Sequence, residues 1–278
     1  MIVICGKDTV RGVRGDDSPD LNTYFELGWE TIITHLMVKY WALRNIISRE
    51  STIVTCDSRQ FLYNAMFPNV ITWQQFVEKY QYKGLLQSGI VIDLPAMVLQ
   101  AKSVEQIATI KSLLTPDDIQ EIQRISVQGH SNLSKIDSDY ACMVIRKRNH
   151  CSDRDLPEEY LWKLIREALN RYPRLYIMGK DVGHYCNIDP ARMEHVSLHE
   201  FSILIGGNRC KRVIGPLSGG MAVNCIYGNA PATFIDAANE RHNYFDNHPL
   251  MFGECVNLAG IHMNHIKVTE DWERVFNG

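Results

Sequence analysis

The stretch that decides the fold covers residues 213–236 and reads VIGPLSGGMAVNCIYGNAPATFID. Its two ends, residues 213–215 and 232–235, are short apolar runs bounded by turn residues, which predicts two buried strands. Between them, residues 221–227 predict a helix that follows a glycine-containing turn. A strand, a turn, a helix and a second strand form a βαβ unit, so this stretch predicts a parallel sheet.

The same alternation continues outward through the rest of the chain. Strands are predicted at residues 1–5, 52–55, 70–72, 89–92, 140–145 and 175–178. Helices are predicted at residues 28–47, 104–114, 116–127, 157–171 and 198–205. Thr115 and Pro116 are typical of a helix N-cap and of the first helical position. The predicted fold class is therefore α/β.

The length favours two domains, because 278 residues exceed one ordinary domain and are too few for three. A polar segment at residues 130–139, HSNLSKIDSD, separates two series of alternating elements. We predict a domain at residues 1–138 and a second at residues 139–278, each a Rossmann-like sheet with covering helices.

Composition excludes several classes of protein. A net charge of −3 and a pI near 6.4 give no general field for a nucleic acid backbone, so nucleic acid is an unexpected partner. The eight cysteines form no Cys-x-x-Cys pair and are predicted to be free thiols. No apolar run reaches the roughly 18 residues of a membrane span, and no secretory signal is evident. The sequence therefore predicts a cytoplasmic protein without a membrane span.

The turn after the strand at residues 213–215 predicts an anion site. Gly219 and Gly220 let a negatively charged group approach the main chain, and the amides and dipole of the following helix stabilise it. Ser218 adds a hydroxyl donor. The alternative is that the glycines only make a tight turn between strand and helix.

A basic cluster follows the strand at residues 140–145. The end of a strand in a doubly wound sheet faces the ligand crevice, where Arg146 or Arg148 could bind two phosphate oxygens together. Lys147 is expected to face away. The alternative is a solvated basic loop, in which Asp153 and Arg154 could pair with the cluster.

Residues 140–236 resemble the C-terminal domain of GT-B glycosyltransferases, particularly heptosyltransferase-like and fucosyltransferase-like members, in which a strand ends in a turn of the form Gly-Pro-x-Ser-Gly. The resemblance implies two Rossmann-like domains whose parallel sheets face each other across a cleft, with the nucleotide sugar held by the second domain and the acceptor by the first. It implies diphosphate contacts at Ser218, Gly219 and Gly220, and a contact from an arginine after the first strand of that domain, Arg146 or Arg148.

Two further positions are candidates for the nucleotide. Gly179 and Lys180 follow the strand at residues 175–178, where contacts to a base or ribose are expected, although a turn with exposed charges is the alternative. Ser197 and Glu200 have capping-box spacing at a helix start. The resemblance gives Glu200 a second role, because an acidic residue on a helix of that domain often holds the ribose in GT-B enzymes.

The acceptor side should lie around the long loop at residues 6–27, which is rich in carboxylates. Inverting transfer needs a base within hydrogen-bond reach of the acceptor hydroxyl, and Asp16, Asp17 and Glu30 are the candidates. Glu30 also has a structural explanation, a favourable interaction with the dipole of the helix that it opens. Trp29, beside this loop, could stack on a sugar.

The sequence thus predicts a glycosyltransferase that moves a hexosyl or pentosyl group from a nucleotide sugar to a hydroxyl of a glycan or other acceptor, with inversion. No cofactor or metal is expected: the Asp137–Asp139 pair precedes its strand, and His195 and His199 lack a third zinc ligand. The alternatives are a nucleotide-sugar epimerase or hydrolase, a glucosyl-type transferase acting on DNA bases, and a non-catalytic nucleotide- or glycan-binding module.

Overall fold

The computed structural model describes residues 1–7, 27, 30–80, 91–100, 115–128, 136–147, 155–216, 218–236, 263–267 and 274–277. The chain divides into two compact units, Met1–Gly129 and His130–Gly278. Each unit contains a parallel sheet with helices between its strands, so the predicted α/β class is confirmed. The predicted domain boundary after residue 138 falls later in the chain than this division.

The described part of unit 1 contains a sheet of four parallel strands in the order β3-β2-β1-β4. The strands are β1 (Ile2–Ile4), β2 (Thr52–Thr55), β3 (Val70–Thr72) and β4 (Val91–Asp93). Strand β1 lies inside the sheet and is buried on both faces, as its apolar sequence predicts. Because the chain moves outward from β1 to β3 and then returns to the other side of β1, the strand order reverses between β1 and β4. Such a reversal opens a crevice at the carboxyl ends of the strands.

Helical segments connect these strands. They are a π-helical turn (Glu30–Thr34), α1 (His35–Leu43), a 3₁₀ turn (Asp57–Arg59), α2 (Phe61–Asn64), α3 (Trp73–Tyr80), α4 (Leu94–Gln100) and α5 (Pro116–Gln128). At α5 the Thr115 hydroxyl accepts the Asp118 amide at 3.2 Å, which confirms the predicted cap. The helix predicted at residues 28–47 is shorter than expected, because α1 ends before Asn45 takes a left-handed φ of 56°. The helix predicted at residues 104–114 lies outside the described residues.

In unit 2, the described residues form a sheet of six parallel strands in the order β10-β9-β8-β5-β6-β7. They are β5 (Tyr140–Val144), β6 (Arg174–Met178), β7 (Met193–Val196), β8 (Cys210–Pro216), β9 (Ala232–Asp236) and β10 (Met263–Lys267). Counted within the unit, the order is 3-2-1-4-5-6, which is that of a dinucleotide-binding Rossmann sheet. The order reverses between β5 and β8, so the crevice of this unit lies at the ends of those two strands.

The helices of unit 2 pack against this sheet, and the last of them is hydrogen-bonded to two of its strands. They are α6 (Glu158–Arg171), a 3₁₀ turn (Gly183–Ile188), α7 (Leu198–Ile205), α8 (Gly219–Tyr227) and α9 (Arg274–Asn277). Arg212 in β8 donates to the carbonyl of Phe276 at 3.1 Å, and the Thr233 hydroxyl in β9 donates to the carbonyl of Val275 at 2.8 Å. Helix α9 is thereby held against the two strands that follow the reversal.

Two strands of unit 2 were not predicted. Strand β7 contains two exposed polar residues between buried ends, and the sequence Met-Glu-His-Val lacks the apolar run of a central strand. It is stable as an edge strand because Leu175–Met178 pairs with it in parallel register. Among the described residues, strand β10 likewise pairs with one strand, β9. Edge strands carry a weaker apolar signal than central ones.

Other expectations concern the chain as a whole. The thiols of Cys5, Cys142, Cys186 and Cys210 are free, as predicted. Within the same ranges, no helix combines the length and apolar character that crossing a bilayer requires. Groups of three or more potential metal ligands are also absent from the part of the chain that the structure describes.

A fully buried lysine lies where α1 packs against α5. Lys39 donates to the Ser126 hydroxyl at 2.6 Å and is 0% exposed. Burial lowers the pKa of Lys39 from 10.5 to about 7. His35, one helical turn earlier, is also buried, and burial holds its pKa well below the usual value. Both groups therefore favour their neutral forms inside unit 1.

Replacing Lys39 by Met should change how stability depends on pH. The folded chain releases the Lys39 proton near pH 7, whereas the unfolded chain keeps it up to about pH 10.4. The unfolded state thus binds more protons in that window, so this lysine makes the free energy of unfolding rise with pH. We expect Lys39→Met to stabilise the protein at pH 7 and to flatten this rise. Denaturant unfolding at several pH values measures both effects.

The matched control is Lys79→Met, because Lys79 belongs to the same unit and its side chain is exposed. This substitution should leave the pH dependence as in the wild type. Equal slopes in the wild type and in Lys39→Met would contradict the prediction.

Candidate functional site

The crevice of unit 2 is built by β5 and β8, which are neighbours in the sheet. Cys142 pairs with Val213 and Met143 with Ile214 in parallel register, so the two strands end at the same edge. The loops that follow them start side by side there. The basic cluster after β5 and the glycine turn after β8, which the sequence singled out separately, are therefore brought together.

Close packing explains why Gly220 is glycine. A β-carbon at Gly220 would overlap the end of the Met178 side chain and would lie 3.0 Å from Cγ1 of Val144. A β-carbon at Gly215 would lie 2.8 Å from Cβ of Val144, which is also too close. Glycine at these positions lets the start of α8 rest on the ends of β5 and β6. For Gly220 the alternative interpretation, a packing glycine, is thus sufficient, and a phosphate contact stays a prediction.

Ser218 opens α8 as its N-cap. Its hydroxyl accepts the Met221 amide at 3.5 Å, and its backbone is extended, with φ −153° and ψ 166°. The amides of Gly219 and Gly220 belong to the first helical turn, where N–H groups have no acceptor within the helix. The positive end of α8 therefore lies at the edge where β5 and β8 finish, which is the geometry that an anion requires.

Arg146 lies at the same edge, immediately beyond β5. It is 6% exposed and forms an ion pair with Asp155, so the alternative of a solvated basic loop is wrong for this residue. The phosphate contact predicted for Arg146 stays a prediction. Arg148, Asp153 and Arg154 lie outside the described residues.

Lys147 points to the start of α6. Its ammonium is 2.8 Å from a carboxylate oxygen of Glu158 and 5.1 Å from the ring centroid of Tyr185. The hydrogen bond with Glu158 raises the pKa of Lys147 and lowers that of Glu158. Tyr185 donates to the same carboxylate at 2.8 Å. Lys147 is thus paired with Glu158 and lies near Tyr185, and its direction away from the anion site stays a prediction.

The positions predicted for the base or ribose lie after β6 and at α7. A β-carbon at Gly179 would overlap the carbonyl oxygen of Ile145, so this glycine also permits close packing. His195 Nε2 donates to the Gly179 carbonyl at 2.8 Å. Lys180 is exposed at this edge. Its role and that of Gly179 in binding a nucleotide stay predictions.

Glu200 forms the capping box that the sequence predicted. The Ser197 amide donates to its carboxylate at 2.8 Å, and the Ser197 hydroxyl accepts the Glu200 amide at 3.2 Å. The hydrogen bond from the Ser197 amide lowers the pKa of Glu200. A ribose contact from this exposed carboxylate stays a prediction.

In unit 1, Glu30 lies fully buried at the ends of β1 and β2. Its carboxylate accepts hydrogen bonds from Arg59 at 2.7 Å, from Tyr63 at 2.9 Å and from the hydroxyl of Thr55. A β-carbon at Gly6 would overlap this carboxylate. These three donors hold the buried carboxylate of Glu30 against the backbone of Gly6. Its predicted role as catalytic base stays a prediction.

A second charged pair lies at the reversal between β1 and β4. The Lys7 ammonium is 2.6 Å from a carboxylate oxygen of Asp93, and the two side chains are only 7% and 10% exposed. The same rule that selected Arg146 would have found them, because both follow or end a short apolar strand. Sequence reasoning considered only the carboxylates of the long loop that contains Lys7, and it did not consider Asp93. Asp16, Asp17 and Trp29 lie outside the described residues.

Comparisons with known proteins identify structures with a similar fold but no matching sequence family. No family model and no curated protein sequence matches the chain. Among solved structures, E. coli heptosyltransferase WaaC with ADP has a TM-score of 0.54 at 10% sequence identity, covering 96% of this chain and 92% of that one. The E. coli ADP-heptose LPS heptosyltransferase II has a TM-score of 0.48 at 11% identity, with 84% of each chain covered.

The likeness to WaaC extends over nearly the whole chain and therefore includes both units. It confirms the predicted resemblance to GT-B glycosyltransferases at the level of fold. The arrangement of the two sheets across a cleft stays a prediction.

Proposed function

We propose that the chain is a glycosyltransferase of the GT-B type, with unit 2 binding a nucleotide sugar and unit 1 binding the acceptor hydroxyl. The observation that carries the proposal is the convergence at the β5–β8 reversal of the start of α8 and the buried guanidinium of Arg146. In doubly wound sheets this place binds ligands, and both groups favour an anion with several oxygens.

These groups match the charge that develops during the transfer. As the bond between the sugar and the diphosphate breaks, negative charge builds on the departing nucleoside diphosphate. Amides of Gly219 and Gly220 and the guanidinium of Arg146 would stabilise that charge because they are already oriented. In this mechanism these groups stabilise the leaving diphosphate, as a divalent cation does in metal-dependent transferases. We therefore propose transfer without a metal ion or other cofactor.

The acceptor would be deprotonated by a carboxylate of unit 1, and its oxygen would attack the anomeric carbon opposite the leaving group, which inverts the configuration. Asp16 and Asp17 are the candidates for this base, since Glu30 has three hydrogen-bond donors and no exposed surface. The proposed acceptor is a glycan or another hydroxyl compound, and the proposed place of action is the cytoplasm.

The neighbours in structure give one further indication about the donor. WaaC was solved with ADP, a nucleoside diphosphate of the kind proposed to bind between β5 and β8. The sequence favoured a hexosyl or pentosyl group, whereas both similar proteins are heptosyltransferases by name. At 10% identity the fold is shared and the sugar is not determined, so the proposal is a nucleotide sugar without a chosen sugar.

A nucleotide screen tests the proposal. Thermal unfolding is measured with ADP, UDP, GDP or CMP, since a ligand selective for the native state raises apparent stability. We expect one diphosphate to stabilise the protein, by about 2.7 kcal/mol at a concentration 100 times its Kd. The same experiment on Gly219→Val, whose side chain would obstruct the start of α8, should show the wild-type transition without the nucleotide effect. No stabilisation by any of the nucleotides would contradict the proposal.

Product analysis with the matching nucleotide sugar then separates the alternatives. A glycoside of an added acceptor identifies a transferase. A free sugar identifies a hydrolase, an isomerised donor an epimerase, and tight binding without turnover a binding module. A salt-sensitive shift of DNA would instead favour transfer to bases.

A further inference from the structure

The contact between helices α1 and α5 contains a buried amine. Lys39 of α1 and Ser126 of α5 are 0% and 1% exposed, and the Lys39 amine donates to the Ser126 hydroxyl at 2.6 Å. The Ser126 hydroxyl in turn donates to the carbonyl of Ile122, within α5, at 2.7 Å. The hydrogen bond that holds this amine is therefore made to a neutral group on the neighbouring helix.

The carboxylates of α5 are paired with other groups or exposed. Asp118 lies 3.0 Å from the guanidinium of Arg44 in α1, and Glu121 lies 2.6 Å from the guanidinium of Arg124. Asp117 is exposed. In the described part of the chain, none of the three forms a hydrogen bond or an ion pair with the buried amine.

The other elements that pack against α1 also leave the amine without an opposite charge. His35 lies one helical turn before Lys39 and is fully buried, and burial lowers its pKa, as does the charge of Lys39. The π-helical turn before α1 contains Glu30, whose carboxylate accepts from Arg59 and from Tyr63 of α2. Among the described residues, an ammonium at this junction would thus meet no compensating charge, and burying it costs free energy.

Proton binding therefore favours a state in which the junction is open. Burial lowers the pKa of Lys39 to about 7 in the closed junction, whereas a lysine in water has a pKa of about 10.4. Between these two values the open junction holds the proton and the closed one releases it. Each pH unit downward then raises the ratio of open to closed molecules by about tenfold. Below pH 7 both states hold the proton, so the ratio changes little.

Helix α5 is the partner that can separate, because its described attachment to unit 1 is limited. Besides the hydrogen bond to Lys39, it consists of the buried side chains of Ile122 and Ile125 and the ion pair of Asp118, whose arginine is 49% exposed. Exposed ion pairs contribute little to stability. Helix α1, in contrast, buries six of its nine residues.

From these observations we infer that α5 is a proton-sensitive element, which separates from α1 more readily at neutral than at alkaline pH. Helix α5 ends at Gln128, one residue before the division between the two units. The proton therefore controls the structure of the last described element of unit 1. The inference is independent of the proposed function, because neither a nucleotide nor a sugar takes part in it.

Hydrogen exchange of the full-length protein, followed by mass spectrometry, tests the inference. Peptides that contain α5 are compared with peptides that contain β2 at pH 7, 8 and 9, with labelling times scaled to the intrinsic exchange rate at each pH. Local opening exposes the amides of α5 without exposing those of a central strand. The variants are Lys39→Met, which removes the proton site, Ser126→Ala, which keeps the amine without its partner, and the exposed control Lys79→Met. Circular dichroism establishes that each variant is folded.

In the wild type and in Lys79→Met, we expect α5 to be less protected than β2, and at least tenfold less protected at pH 7 than at pH 9. Lys39→Met should remove this pH dependence, and Ser126→Ala should lower the protection of α5 at each pH. Protection of α5 that equals that of β2, or that is the same at pH 7 and pH 9, would overturn the inference. An unchanged pH dependence in folded Lys39→Met would do so as well.

Discussion

Replacing Glu30 by Ala should lower the free energy of unfolding by about 3–5 kcal/mol, the range for breaking a buried ion pair by removing one partner. The substitution leaves the guanidinium of Arg59, which is 8% exposed, without its carboxylate. It also removes the acceptor of the Thr55 and Tyr63 hydroxyls. Urea unfolding followed by circular dichroism measures the loss.

The matched control is Glu121→Ala, which breaks an ion pair with Arg124 whose side chains are 40% and 56% exposed. Exposed pairs contribute about 0–1 kcal/mol, so this loss should be small. Similar losses in the two variants would contradict the role assigned to Glu30.

The variant Glu30→Gln tests whether Glu30 stabilises the fold or acts as the catalytic base. The amide keeps an acceptor for the hydroxyls but removes the charge and any capacity to accept the acceptor proton. If Glu30 is the base, the folded fraction should lose transfer, whereas a purely supporting residue would show reduced stability and transfer that persists in the folded fraction.

The largest expected effect on binding comes from Arg146. Removing a charged hydrogen bond to phosphate should weaken nucleoside diphosphate binding by about 1.5–3 kcal/mol, or roughly 10–150-fold in Kd. Isothermal titration of Arg146→Ala with the nucleotide found in the screen measures the change. Because the substitution also deprives Asp155 of its partner, unfolding without nucleotide is measured alongside.

Lys147→Ala serves as the neighbouring control, since Lys147 pairs with Glu158 and should leave nucleotide affinity nearly unchanged. Arg148→Ala is the second arm, because the sequence left open which arginine contacts the diphosphate. Unchanged affinity in both arginine variants would remove the basic cluster from the site.

Much of the fold follows from local sequence. Central strands such as β5 are short, apolar and buried on both faces, and Ser197 with Glu200 has the spacing that a capping box needs. These features depend on neighbours in sequence. The edge strands β7 and β10 escaped prediction because their stability comes from one partner strand each rather than from an apolar run of their own.

The candidate site was predictable in position but not in its pairings. The rule that ligands bind at strand ends placed Ser218 and Arg146 correctly at one edge. That Asp155 pairs with Arg146, and that Gly220 faces Val144 and Met178, depends on contacts between elements distant in sequence. The surroundings of Glu30 could not be predicted from local sequence either, because its three hydrogen-bond donors belong to other elements.

The most direct test of the central claim is the nuclear magnetic resonance signal of the backbone amides at the start of α8. Protein labelled uniformly with ¹³C and ¹⁵N is titrated with the stabilising nucleoside diphosphate, and the signals of Gly219 and Gly220 are assigned from triple-resonance spectra. If these amides hold the diphosphate, both signals should shift in a saturable way while the signal of Gly6, in unit 1, stays in place. A titration that saturates and leaves Gly219 and Gly220 unmoved would contradict the account.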